Sequence, residues 1–166
     1  RNEFPNEIHR MKISANLTLA EVSKSQMAKR RGFNNEPEGE HLTNLITLAN
    51  NVFQPMREHF GKPIFVSSGF RSDKLNKAIG GSTTSQHCKG EALDLDNDGR
   101  GYPSNADIFW YIHDHLDFDQ LIFEFGSMAN PSWVHVSYKS EGNRKQVLRA
   151  SKSNGRTVYT NFTDNR

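Results

Sequence analysis

Between Leu42 and Phe60 the apolar residues Leu42, Leu45, Ile46, Ala49, Val52, Phe53, Met56 and Phe60 recur at i, i+3, i+4 and i+7. That period draws one apolar stripe along a helix, the longest amphipathic one in the chain and its expected main core helix. Pro55 lies inside it and predicts a kink, because a mid-helix proline removes a backbone donor and crowds the preceding turn. Gly61-Lys62-Pro63 ends it. Upstream, Thr18-Leu19-Ala20-Glu21 spells a capping box, and the helix it opens is expected to run to about Lys29 and stop near Gly32. Asn34 to Gly39 reads as a loop. Ser104-Asn105-Ala106-Asp107 caps a further helix whose buried stripe is Ile108, Phe109, Ile112 and Leu116.

Elsewhere the period drops to two. Ile64 to Ser68 reads as a strand that leaves through the turn Gly69-Phe70-Arg71-Ser72. In Ala92-Leu93-Asp94-Leu95-Asp96 the leucines take one face and the carboxylates the other; in Trp133-Val134-His135-Val136-Ser137 the valines point away from the histidine. Leu121 to Gly126 is an apolar strand interrupted by Glu124. Lys145–Ala150 and Arg156–Tyr159 flank Asn154-Gly155, a hairpin turn signal, and this hairpin is expected to complete or cover a sheet edge. Helices interspersed with such strands predict an α+β fold, with helices on one side of a small, mainly antiparallel sheet that carries the site.

Length and composition narrow this picture. At 166 residues the chain makes one domain, and an apolar fraction of only 34% demands a compact core that the eleven Phe help to fill. A net charge of +2, with no basic run longer than Lys29-Arg30-Arg31, gives no argument for nucleic acid. No apolar stretch approaches the ~18 residues of a membrane-spanning helix. Arg1 to Arg10 is polar and patternless ahead of Met11-Lys12-Ile13, so residues 1–10 are expected to be vector-derived, 11–160 the folded domain, and 161–166 a frayed tail. The polar start carries no secretory signal, which predicts synthesis in the cytoplasm. A single cysteine excludes an intramolecular disulfide, and Cys88 is expected to be a small packed group rather than a ligand.

The candidate chemistry lies on the period-two segments. His87 sits in a polar, Gly-broken stretch able to fold over the end of the Asp94 strand. Taken singly, His87, Asp94 and His135 are ordinary solvated or hydrogen-bonded residues. Together they form a set of two imidazoles and one carboxylate, which leaves a fourth zinc position open, the catalytic arrangement. Arg71, at a strand end, is either a surface arginine or a bidentate anchor for a substrate carboxylate or carbonyl. Glu124, a charge in apolar company, either pairs with a basic side chain at a strand edge or has a catalytic task. Trp133 either packs in the core or walls a cleft. Asp94 to Gly99 imitates the start of a calcium loop, but its twelfth position is Asn105 and no helix leads in, so an acidic turn is expected. His113 and His115, near a helix C-terminus, are expected at the surface.

Ser85-x-His87-x-x-Gly90-x-Ala92-x-Asp94, followed some forty residues later by Trp133-Val134-His135-Val136, resembles the zinc D-Ala-D-Ala carboxypeptidase family. That family belongs to a larger group of peptidoglycan-cleaving metallopeptidases that includes the lysostaphin-type enzymes and the hedgehog signalling domain. The likeness extends from about Leu17 to about Tyr159. It implies a hedgehog-like fold with His87, Asp94 and His135 as Zn²⁺ ligands, and Arg71, within Ser68-Gly69-Phe70-Arg71-Ser72, as the substrate-facing arginine. Many relatives place the catalytic Glu three residues before the last zinc histidine; here that position is Ser132, which leaves Glu124 on the adjacent strand as the substitute base. Ser85 is expected to add a hydrogen bond and Trp133 to wall the cleft. The implied activity is zinc-dependent hydrolysis of a peptide bond in bacterial peptidoglycan, of the D-Ala-D-Ala carboxypeptidase type. The alternatives are a phage-lysin-type endopeptidase, cutting L-Ala–D-Glu or a cross-bridge, and a non-catalytic wall-binding module that keeps the metal as a prop. The expected partner is the peptidoglycan stem peptide, met by a monomer that reaches the cell wall, in the phage case, through a holin or as part of a virion.

Overall fold

In the computed structural model, which describes residues 10–166, the chain begins with two short antiparallel strands, β1 (Lys12–Ser14) and β2 (Leu17–Thr18). The leader expected over residues 1–10 lies outside the described residues, apart from Arg10. Thr18 then caps α1 (Leu19–Ser23): its Oγ1 accepts from the Glu21 N–H at 3.3 Å, while its own N–H donates to Glu21 Oε2 at 2.7 Å. This helix does not continue to Lys29. It breaks at Lys24, whose backbone is extended, and Ser25 caps a second helix, α2 (Gln26–Arg31), by accepting from the Ala28 N–H at 3.2 Å. The break has a local cause, because a serine side chain that binds a nearby backbone group offers the chain an alternative to the helix. Gly32, in the left-handed region at φ 68°, ends α2.

The long amphipathic segment forms α3 (Glu40–Leu48) and α4 (Gln54–Phe60), joined by a π-helical turn at Ala49–Phe53. The Gln54 N–H reaches back five residues to the Ala49 carbonyl. The widened turn stands immediately before Pro55, so the chain meets the missing proline donor with a π-turn in an otherwise helical backbone. Leu45, Leu48, Ala49, Val52, Phe53 and Met56 are buried along the stripe, and Ile46 turns outward.

The remaining elements build the sheet: β3 (Val66–Ser68), α5 (Asp73–Ala78), a 3₁₀ turn (Gln86–Lys89), β4 (Ala92–Leu95), α6 (Asn105–His115), β5 (Gln120–Glu124), β6 (Trp133–Ser137), β7 (Gln146–Ser153) and β8 (Arg156–Asn161). Helix α5 has no apolar period to announce it, only its Ser72 cap, which accepts from the Leu75 N–H at 3.2 Å. The six strands run in the order β3-β4-β6-β5-β7-β8, and every pairing is antiparallel except β5 with β7. Asn154 and Gly155, at φ 50° and 76°, make the tight turn that joins β7 to β8, and the hairpin completes the sheet with β8 as its edge.

Alternation along the strands gives the sheet two unlike faces. Leu93, Leu95, Leu121, Phe123, Val134 and Val136 pack into one core with Leu45, Leu48 and Val52 of the long helical segment and Ile108, Phe109 and Ile112 of α6. Each such buried side chain contributes roughly 1.5–3 kcal/mol, enough to fix the register and with it the opposite face. The fold is therefore α+β, with a mostly antiparallel sheet backed by helices. The tail expected to fray lies instead against α6: Phe162 meets the Phe109 ring at 4.9 Å, and Arg166 stacks 3.7 Å over Trp110 while pairing with Asp114 at 2.7 Å. An aromatic and a cation with matching partners outweigh the freedom of a chain end. Among the described residues no helix is long and apolar enough to cross a membrane.

Candidate functional site

On the face turned away from the helices, Asp94 of β4 stands directly opposite His135 of β6, which in turn faces Ile122 of β5. The 3₁₀ turn brings His87 over the end of β4. Asp94 Oδ1 lies 3.0 Å from His135 Nδ1 and 3.4 Å from His87 Nε2. The ligand atoms of the three residues all lie within 4.8 Å of one another, a group able to hold a metal ion. Cys88 is buried beside His87 but stands outside this group, a packed thiol as expected.

The loop chemistry explains why His87 is held there. Its Nδ1–H donates to the Gly69 carbonyl at 2.7 Å, which fixes the tautomer and leaves the Nε2 lone pair facing Asp94. Gly69 itself is pressed against α1, where a Cβ would collide with the Val22 carbonyl, and the Phe70 N–H donates to that same carbonyl at 2.6 Å. The Arg71 N–H then returns to the His87 carbonyl at 3.1 Å, so the turn after β3 and the 3₁₀ turn are zipped together. Gly90, at φ 73°, ends the 3₁₀ turn where any side chain would strike the His41 carbonyl.

Electrostatics prepare the set for a cation. Burial pushes the His87 imidazole below its ordinary pKa, with Asp94 opposing the shift. Burial alone would raise the Asp94 carboxyl, but His87 and His135 outweigh it and hold Asp94 well below the usual carboxylate range. A neutral imidazole and an ionised carboxylate are the protonation states that metal coordination requires.

Glu124 lies at the end of β5, an interior strand between β6 and β7, so the strand-edge alternative does not hold. It faces Trp133 and is only 6% exposed, and among the described residues no Lys or Arg pairs with it. Burial pushes its carboxyl up to about 7, with Asp94 adding to the rise and His135 opposing it. Glu124, Trp133, Arg71 and Ser85 all line one groove of about 930 Å³ with the His-Asp-His group. Trp133 is half-buried against Phe125, with ring centroids 5.2 Å apart, so its packing and its place in the groove wall coexist. Ser85 accepts from Arg71 Nη2 at 3.4 Å, and the buried Arg71 Nε has no partner.

Outside the groove, Asp96 accepts from the Asp98 N–H and from Asn105 Nδ2, a structural turn as anticipated. His113 pairs with Asp114 at 2.8 Å, and neither His113 nor His115 lines the groove. Sequence reasoning missed the far wall. Leu148, Lys152, Thr157 and Tyr159 of the β7–β8 hairpin line the groove too. The alternation of Arg156 to Tyr159 places Thr157 and Tyr159 on one face, but nothing local says which strands that face joins.

A family model described as Peptidase M15 matches residues 15–137, a segment that includes His87, Asp94, Glu124 and His135. No curated protein sequence matches the chain.

Proposed function

The chain belongs to the peptidase M15 family of metallopeptidases, of zinc D-Ala-D-Ala carboxypeptidase type, and from that premise we propose that it removes the terminal D-alanine from the stem peptide of bacterial peptidoglycan. One observation carries this reading: a single Asp94 oxygen within reach of one nitrogen each from His87 and His135, beside an unpaired buried carboxylate in the same groove. Two imidazoles and a carboxylate suit Zn²⁺ and leave a coordination position open. His87, Asp94 and His135 would hold the Zn²⁺, which when bound would supply the Lewis acidity that acidifies a water and polarises a carbonyl.

The chain's own groups supply the rest. Glu124, poised near neutrality, takes a proton from the attacking water and returns it to the leaving amine. Arg71 has its Nε free and its Nη2 only loosely engaged by Ser85, so its guanidinium anchors the terminal carboxylate of the substrate. Ser85 steadies Arg71 through that contact, and Trp133 walls the groove beside Glu124.

A second reading, an endopeptidase, is favoured by the groove's lining, which joins Arg71 and Ser85, the His-Asp-His group and Tyr159 of the last hairpin. Digestion of purified peptidoglycan followed by mass spectrometry separates the two. Loss of one alanine per stem, abolished by a chelator, is the expected result. Peptide released from glycan supports the endopeptidase, and intact peptidoglycan that nevertheless retains the protein supports a wall-binding module.

A further inference from the structure

The row of facing residues that contains Glu124 does not stop at β5. It runs from Trp133 through Glu124 to Ala150 of β7 and Tyr159 of β8, four neighbouring strands in register. Ala150 is fully buried and offers only a methyl, so no tall side chain in this row separates the Glu124 carboxylate from the Tyr159 ring. Tyr159 is 54% exposed and lines the same groove as Asp94 and His135. Beside it, Lys152 Nζ donates to Thr157 Oγ1 at 3.1 Å and ties the two strands at the lip of the groove. Among the described residues the Tyr159 hydroxyl has no hydrogen-bond partner, so nothing in the fold consumes it. Burial, and after it the charges of Glu124 and Asp94, raise the phenol above its ordinary pKa, so it keeps its proton and remains a donor.

We propose that Tyr159 is a substrate-binding residue whose O–H donates to a carbonyl oxygen of the peptide lying on the Glu124 side of the groove. It rests on the reading of the groove as a peptidoglycan-peptide site. The β7–β8 hairpin lies outside the matched residues 15–137, so this wall is a feature of the chain beyond its family segment. A peptide carbonyl is the chemistry that suits it: a hydroxyl that keeps its proton donates to a neutral acceptor without adding charge beside Glu124.

The test uses the zinc-loaded full chain and a synthetic stem pentapeptide ending in D-Ala-D-Ala. Calorimetric titration compares Glu124→Gln with Glu124→Gln/Tyr159→Phe, and turnover compares wild type with Tyr159→Phe. Loss of one hydrogen bond predicts about 3–10-fold weaker binding and a KM raised by a similar factor. The zinc content and Tm of Tyr159→Phe should match wild type, because the hydroxyl supports nothing in the fold; a lowered Tm would mark a structural role and overturn the proposal. Equal affinity and equal KM, with wild type still active on the peptide, would overturn it while leaving the proposed function in place. If Glu124→Gln binds no stem peptide and wild type leaves peptidoglycan intact, the proposed function falls and the role of Tyr159 falls with it.

Discussion

Asp94 Oδ1 stands 3.0 Å from His135 Nδ1 across the β4–β6 ladder, a contact between two residues forty-one positions apart in the chain. The ladder places it, because Leu93 and Leu95 on one strand and Val134 and Val136 on the other are buried in the core, which turns Asp94 and His135 to the opposite face. In the proposed function His87, Asp94 and His135 are the protein's three zinc ligands, with none to spare. His87→Ala, Asp94→Ala and His135→Ala should therefore each lose stoichiometric zinc and most activity, whereas Cys88→Ser should keep both. Elemental analysis of the purified variants checks this, and full zinc in any of the three would remove that residue from the ligand set.

Arg71 offers a second test. Its Nε is buried without a hydrogen-bond partner and its Nη2 donates to Ser85, and in the proposed reading its guanidinium is the donor that receives a substrate carboxylate. Arg71→Lys keeps the charge but loses the fork. The expected loss is about 1–3 kcal/mol of transition-state stabilisation, measured as kcat/KM on a defined stem peptide with zinc content unchanged. Unchanged kinetics would return Arg71 to an ordinary surface arginine.

Much of this geometry was legible in the sequence because it follows from alternation. Once Leu93, Leu95, Val134 and Val136 are assigned to a core, Asp94 and His135 must share the other face. The capping boxes at Thr18 and Ser104 were equally readable, since each depends only on residues three apart. Other features depend on pairings that no local pattern encodes. That Tyr159 shares a row with Glu124 depends on β7 pairing in parallel with β5, a register set across more than twenty residues of intervening chain. The tail looked frayed because its partners, Asp114 and Trp110, lie about fifty residues away on α6.

Asp119 predicts how the fold responds to acid. Its side chain is fully buried and accepts from Arg144 Nε at 3.1 Å, from Nη2 at 2.8 Å and from the Arg144 N–H at 3.0 Å. Burial alone would raise its pKa, but the Arg144 hydrogen bonds outweigh burial and lower it. A depressed carboxyl stabilises the fold above its unfolded pKa of about 3.9, and that contribution is lost as pH falls through the lower folded value. Asp119→Asn should therefore cost about 1–3 kcal/mol at pH 7, kept modest because Arg144 is half exposed, and the gap should close as pH falls below the ordinary carboxylate range. Thermal melts of both proteins from pH 7 to pH 2 measure it; a gap independent of pH would show that the charge contributes nothing.

Glu124 yields the sharpest prediction, because its proposed role in catalysis and its effect on stability respond to one substitution in opposite directions. As the proton acceptor it must be ionised, so Glu124→Gln should keep zinc and lower kcat by roughly 10²–10⁴-fold. In the metal-free protein the same carboxyl is a liability. Burial lifts it from an ordinary value of 4.5 to about 7, so the stability associated with its neutral form is fully present below about pH 4.5 and is lost as pH rises through 7. That contribution should be present in metal-free wild type and absent from metal-free Glu124→Gln, so the stability difference between the two should grow across that window. Above pH 7 the variant should be the more stable of the two, by on the order of 3 kcal/mol from a shift of that size. Paired measurements, kcat with zinc bound and chelated melts from pH 4 to pH 8, read both roles. Normal turnover would remove Glu124 as the base, whereas parallel melting profiles would show that its carboxyl is paired or solvated and its pKa never raised.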